Sequence, residues 1–213
     1  YDITNKKDDL WIAVIGSVTD SFLPDFYSDF LKNYPELGVE TKKAFDVLYK
    51  SKIGEAARVL QNGLKDTTTN VVTMLKFLID AKSPYDILEE NSKNYLMYKR
   101  SNEIDKKYKS LLARAKTFLS VNLLFFQYGG DLSISGELSN ELSYLFPDKT
   151  IVVAYVKGTK VNLSLRGKKI KEKFLKIISK IENATGGGHE DAVGGVIQSE
   201  DINNFREELE KVI

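Results

Sequence analysis

Gly186-Gly187-Gly188-His189-Glu190-Asp191-Ala192-Val193-Gly194-Gly195 is the stretch on which the reading of this chain turns. Glycines let backbone N–H groups approach an anionic oxygen closely and reach positive φ, so the stretch reads as a phosphate-binding turn. His189 stands between two segments of little side-chain bulk, where an imidazole can donate a hydrogen bond to a phosphate or a leaving oxygen. It is the single histidine of the chain, and there is no cysteine. Any triad or His-rich metal site would have to use His189, and thiolate nucleophiles, disulfides and Cys-based zinc sites are excluded. Two plainer readings stand beside this one: a surface-turn histidine, and a flexible glycine loop joining a helix to a strand.

Upstream, Val161-Asn162-Leu163-Ser164-Leu165-Arg166 reads as a strand. Ser164 and Arg166 lie two apart and therefore share a face, where the Arg166 fork can hold a phosphate bidentately. Residues 157–180 carry nine basic residues, Lys168 among them, opposed only by Glu172. That local excess of +8 matters more to a polyanion than the net charge of +1. A lysine-rich helix is also commonly just a solvated face. Together Ser164, Arg166, Lys168, Gly187, Gly188 and His189 make a candidate clamp for a nucleic-acid backbone.

Around this clamp the pattern is α/β. Thr117 to Tyr128 reads as one or two strands, Ser135 onward as a helix ending near Pro147, and Thr150–Val156 with Val161–Arg166 as a hairpin. Ile170, Phe174, Ile177, Ile178 and Ile181 recur at helical spacing, a short strand is expected at Val196-Ile197, and a last helix carries Ile202, Phe205, Leu209 and Ile213. The sheet is therefore expected to be mixed. Residues 24–115 read as helical, with an N-cap at Asp66 and an apolar stripe through Val71, Leu75 and Leu78. Leu10-Trp11-Ile12-Ala13-Val14-Ile15-Gly16, followed by Asp20, reads as a buried strand delivering a carboxylate, with a buried helical turn as the competing reading.

The 213 residues, 42% hydrophobic and 29% charged, are enough for one good core or two small ones. No apolar run is long enough for a membrane span, and Tyr1 to Lys7 lack the apolar core of a signal peptide, which points to the cytoplasm. Tyr1 is not a methionine, which leaves room for residues ahead of it.

Gly187-Gly188-His189, Ala192 and Gly194 resemble the GGH-x-x-A-x-G signature of the DHHA-one domain, the C-terminal substrate-binding domain of DHH/RecJ phosphoesterases. Ser164 and Arg166 resemble its Ser-x-Arg strand. Ser135-Gly136-Glu137-Leu138-Ser139-Asn140 resembles the start of its helix, with Ser139 for Ala as the one departure. The resemblance covers residues 117–197 in order. More loosely, Ile15-Gly16 with Asp20 is similar to a pattern that ends the DHH domain and delivers a metal-binding aspartate. The resemblance divides the chain into a remnant DHH strand (1–23), a helical connecting region (24–115) and a DHHA-one type domain (116–213).

The Asp-His-His triplet that names DHH enzymes does not occur in this sequence. The expectation is therefore of no catalytic residue, no metal and no cofactor in this chain, since one carboxylate cannot hold two metal ions. Chains of this kind resemble the short crenarchaeal RecJ-like relatives of the replication factor cell-division-cycle forty-five. That resemblance implies a non-catalytic subunit of the replicative helicase, joined to the GINS complex and the MCM ring and touching single-stranded DNA. The alternatives are the C-terminal portion of an active DHH-family single-strand exonuclease or oligonucleotide phosphodiesterase, and a tRNA-binding module like that of alanyl-tRNA synthetases.

Overall fold

The computed structural model describes residues 7–213. Residues 1–6, on which the expectation of no signal peptide largely rested, lie outside the described residues. The chain divides into two compact units, one ending at Lys106 and one running from Lys107 to Ile213.

The first unit is helical among its described residues: α1 (Leu10–Thr19), α2 (Tyr27–Asn33), α3 (Ala44–Lys50), α4 (Lys52–Gly63), α5 (Thr68–Asp80), α6 (Tyr85–Leu88) and the start of α7 (Tyr95–Lys116). The expected strand at residues 10–16 is therefore a helix. Its buried residues, Leu10, Trp11, Val14, Ile15 and Val18, recur at the 3.6-residue period, while Ile12 and Gly16 face out. A continuous apolar run fits either element. No strand among the described residues of this unit is there to pair with it, and α1 packs on α2, α3 and α4 instead. Asp20 is exposed at the C-terminal end of α1. On α5 the N-cap is Thr67, whose hydroxyl accepts from the Asn70 N–H, and Asp66 accepts from Thr67 and the Asn70 amide. Of the expected α5 stripe Leu78 packs against the core, beside Phe77 and the buried Met74, whereas Leu75 is exposed. Val72, Leu75 and Ile79 line an exposed apolar stripe instead, with Ile79 at 79% exposure.

The second unit is a five-stranded mixed sheet with helices. Its elements are β1 (Leu123–Gly129), α8 (Ser135–Leu145), β2 (Thr150–Lys157), β3 (Lys160–Arg166), α9 (Ile170–Ile178), β4 (Thr185–His189), β5 (Ala192–Gln198) and α10 (Ile202–Glu210). The strand order is β1-β2-β3-β5-β4. Only the β1–β2 pair is parallel. The expected hairpin at residues 150–166 is present, closed at Lys157 and Lys160. One strand, not two, forms in residues 117–128.

Alternation sends side chains from each strand to two different cores. On one face Leu123, Phe125, Val152, Ala154, Val161, Leu163, Leu165, Val193 and Ile197 pack under α9 and α10, with Phe174 and Phe205 at the centre in an edge-on contact. On the other, Leu124, Phe126, Tyr128, Ile151, Val153 and Tyr155 pack under α8 and the end of α7. Tyr128 is buried there, accepts from the Ile134 N–H at 2.8 Å, and has its phenol pushed up to about 12 by burial. This second core draws on β1 and β2 only. The same face of β4 and β5 contributes nothing to it.

Candidate nucleic-acid interface

The glycine stretch is not a loop. It is a hairpin of β4 and β5 joined by Glu190-Asp191, with Gly186 opposite Gly195 and Gly187 opposite Gly194. The two pairs point to opposite faces. A Cβ on Gly186 or Gly195 would lie 2.6 Å from the Phe174 ring, so these two glycines admit a phenylalanine to the α9 side. A Cβ on Gly187 would meet nothing, and one on Gly194 only the Leu163 carbonyl oxygen at 3.4 Å. No packing demand explains that second pair. They leave a bare floor.

Register carries this floor across the sheet. Gly187 pairs with Gly194, and Gly194 with Ser164. His189 pairs with Ala192, and Ala192 with Arg166. Directly opposed residues point to the same face, so Ser164, Arg166, Gly187 and His189 share one surface, in two rows about 7 Å apart along the strands. Gly188 belongs to the opposite face. It pairs with Val193, has φ +144°, and a Cβ there would collide with the Ala192 carbonyl. Its role is backbone geometry, which corrects its place in the clamp. Lys168 is exposed in the segment after β3.

Helix α8 forms the wall. The Ser135 and Ser164 hydroxyls lie 3.0 Å apart, and the Arg166 Nε donates to the Asn140 side-chain oxygen at 2.7 Å. Arg166 also donates to the Leu165 carbonyl at 2.7 Å. Its guanidinium is thus held in place before any ligand arrives, which lowers the ordering cost of binding. Ser135 and Asn140 bound the six-residue motif quoted above. Their polar side chains are the signal in the sequence that they belong to the site, whereas the helical pattern there shows only where α8 starts. The hairpin turn is fixed from below: Asp191 accepts from the Lys169 N–H at 2.7 Å, the Asp191 carbonyl from Gly167 and the Glu190 carbonyl from Lys171.

The basic stretch does not form one patch. Helix α9 turns Phe174, Ile177 and Ile178 to the sheet, so its lysines stand outside the face opposite the glycine floor, and Lys180 pairs with Glu208 at 2.8 Å. Lys157 and Lys160 sit at the far end of the β2–β3 hairpin. The local excess of +8 is real in sequence and divided in space. Among the described residues no three His, Asp or Glu side chains come together to hold a metal ion, and Asp20 supplies one carboxylate. No helix among the described residues is long and apolar enough to cross a membrane.

No curated protein matches the chain. Among solved structures, RecJ from Thermus thermophilus with Mg2+ aligns at a TM-score of 0.62 and 11% identity, over 96% of this chain and 34% of RecJ. The pGpG-specific phosphodiesterase PggH of Vibrio cholerae aligns at 0.52 and 15%, over 88% of this chain and 67% of its own. CDC45 from Entamoeba histolytica aligns at 0.44 and 12%, over 87% and 43%, too loosely to carry an argument. This chain thus spans about a third of the length of RecJ. At these identities the likeness is one of fold. Residues 116–213 match the DHHA1 domain, the one that the glycine and Ser-x-Arg motifs resemble.

Proposed function

We propose that the open face of β4, β5 and β3 binds single-stranded nucleic acid by its backbone phosphates. The observation that carries this is the bare Gly187–Gly194 floor, bordered by the held Arg166, the Ser164–Ser135 hydroxyl pair and the exposed His189. A strip without side chains admits a phosphate to backbone distance, and Arg166 and Lys168 supply charge at its margin. The direct test is fluorescence anisotropy of a labelled thymidine dodecanucleotide over a salt series. Affinity should fall with salt, and no dependence on salt would reject phosphate recognition.

Two assignments of the whole protein use such a face. In the first, it is a non-catalytic RecJ-like factor that works with the GINS complex and the MCM ring. The exposed stripe of Val72, Leu75 and Ile79 on α5 favours this by offering a face to a protein partner. In the second, these residues are the C-terminal part of a single-strand exonuclease or oligonucleotide phosphodiesterase. The shared fold with RecJ and PggH, and the partial span of both, favour that reading. Stoichiometric recovery of GINS and MCM subunits on the tagged natural protein would support the first. Manganese-dependent digestion by the natural gene product, abolished by Asp20→Ala, would support the second and exclude the first.

A further inference from the structure

We propose that the free edge of β1 docks an extended acidic peptide, which joins the sheet as an added strand. This site lies at the opposite end of the sheet from the glycine floor, since β1 and β4 are the two outer strands. The Ser120 N–H donates to the Leu123 carbonyl at 2.9 Å from outside the sheet, beside an antiparallel bridge between Leu119 and Leu124. That contact identifies the outward backbone groups as those of Leu123 and, by alternation, of Phe125, Gln127 and Gly129. The short 117–120 segment covers the start of the edge, and Gln127 and Gly129 continue beyond it.

A cavity of about 460 Å³ opens there, lined by Phe118, Gln127 and Gly129 together with Phe125 and Tyr128. Phe125 and Tyr128 belong to the cores on opposite faces of the sheet, so the cavity wraps the edge itself. Two arginines line it as well. The Arg114 guanidinium lies 5.8 Å from the Phe126 ring centroid, and that of Arg206 5.3 Å from the Phe125 ring centroid. They flank one strand from its two faces. An extended peptide projects successive side chains to alternate faces, so two adjacent acids reach both cations while the backbone pairs with the edge.

Charge selects this occupant over others. Arg206 already donates to one carboxylate, that of Glu210 at 2.8 Å from its Nε, and β1 itself contains no acid. A second copy paired edge to edge would set Arg114 and Arg206 against their own mates. A run of stacked bases would need several open aromatic faces, but Phe125 and Phe126 are buried with a guanidinium over each ring, which leaves the exposed Phe118 as a single platform.

The test uses the whole 213-residue chain and a dye-labelled octapeptide of alternating Asp-Asp and Val-Thr pairs, with a version carrying Lys for Asp as comparison. The acidic peptide should bind with a Kd on the order of 10–100 μM and the basic one should not. Arg114→Glu with Arg206→Glu should weaken binding roughly tenfold or more. Gln127→Pro removes an outward N–H at an edge, where proline is tolerated, and should weaken binding about fivefold with Tm unchanged. That variant reads the proposal even if the double charge reversal fails to fold. The proposal is overturned if the acidic peptide does not bind, leaving the arginines as guards of an exposed edge. Equal binding of both peptides, or indifference to Gln127→Pro, overturns it too. So does displacement of the peptide by a thymidine dodecanucleotide with the same arginine dependence, or a dimer that Gln127→Pro dissolves.

Discussion

Gly186 and Gly195 lie under a phenylalanine; Gly187 and Gly194, one residue away on the same two strands, lie under nothing. The first pair exists because Phe174 must reach the sheet. The second has no such reason, and it faces Ser164, Arg166 and His189 rather than a core. One residue type therefore serves packing on one face and access on the other. A glycine weakens a strand interior, so a bare pair that packing does not require costs stability without structural return. Binding is the use we propose for it.

The largest effect is expected on the sealed face. Gly195→Val places a Cβ 2.5 Å from the Thr185 carbonyl oxygen and 2.6 Å from Phe174 Cζ, and backbone cannot move aside cheaply. The expected loss is about 3 kcal/mol or more, read as a fall in Tm on the order of 10 °C. Phe174→Ala, which empties the same contact from the other side, should cost about 3–5 kcal/mol. If calorimetry finds Gly195→Val as stable as the parent, the sealed face is not what its geometry says.

On the open face the next effect is on affinity. Arg166→Glu with Lys168→Glu should weaken binding of a thymidine dodecanucleotide about tenfold or more and lower the salt slope by roughly 1, as phosphate contacts are lost. Arg166 also brackets Asn140, so Arg166→Lys is the companion variant. It keeps the charge and loses the fork, and a binding defect there with unchanged Tm separates ligand recognition from the bracket.

Gly187→Val sharpens the contrast by its sign. Added to open space in a strand, the side chain should leave Tm unchanged or slightly raised, while affinity drops about fivefold as the floor fills. A variant that binds normally would remove the floor from the site.

Much of the second unit was legible beforehand. The hairpin at residues 150–166 announced itself by the spacing of two strand-like segments around Gly158-Thr159, and α9 by the spacing of Ile170, Phe174 and Ile177. The pairing of Ser164 with Arg166 on one face followed from period two alone. The glycine hairpin was read as a turn because alternation is visible only through side chains, and a run of glycines carries none. The Leu10–Thr19 helix was read as a strand because an unbroken apolar run has no visible period; only its neighbours decide which residues are buried. The +8 stretch misled for a related reason. A strand, a turn and a helix that are adjacent in sequence can end on opposite faces of one sheet, and the helix spacing that placed Phe174 inward already implied that the lysines of α9 point away from it.

The smallest effect belongs to the outside of the sealed face, where Glu208 of α10 meets Lys180 at 2.8 Å and Lys211 at 2.6 Å. Hydrogen bonds from Lys180 and then Lys211, with the charge of both, hold its carboxyl down at about 2 against an ordinary 4.5. A depressed carboxyl contributes stability that is present above its unfolded pKa and lost as pH falls through the folded one, so the window runs from about pH 4.5 to about pH 2. Glu208 is solvent-facing at its carboxyl, and screening keeps the contribution slight. In Tm against pH, Glu208→Gln should lie just below the parent at neutral pH and meet it near pH 2. The same substitution should leave oligonucleotide binding untouched, because α9 and α10 cover the face that the glycine floor does not. A binding defect from Glu208→Gln would mean that the two faces are coupled through the sheet, and that the division between packing and access drawn at the glycine pairs is too sharp.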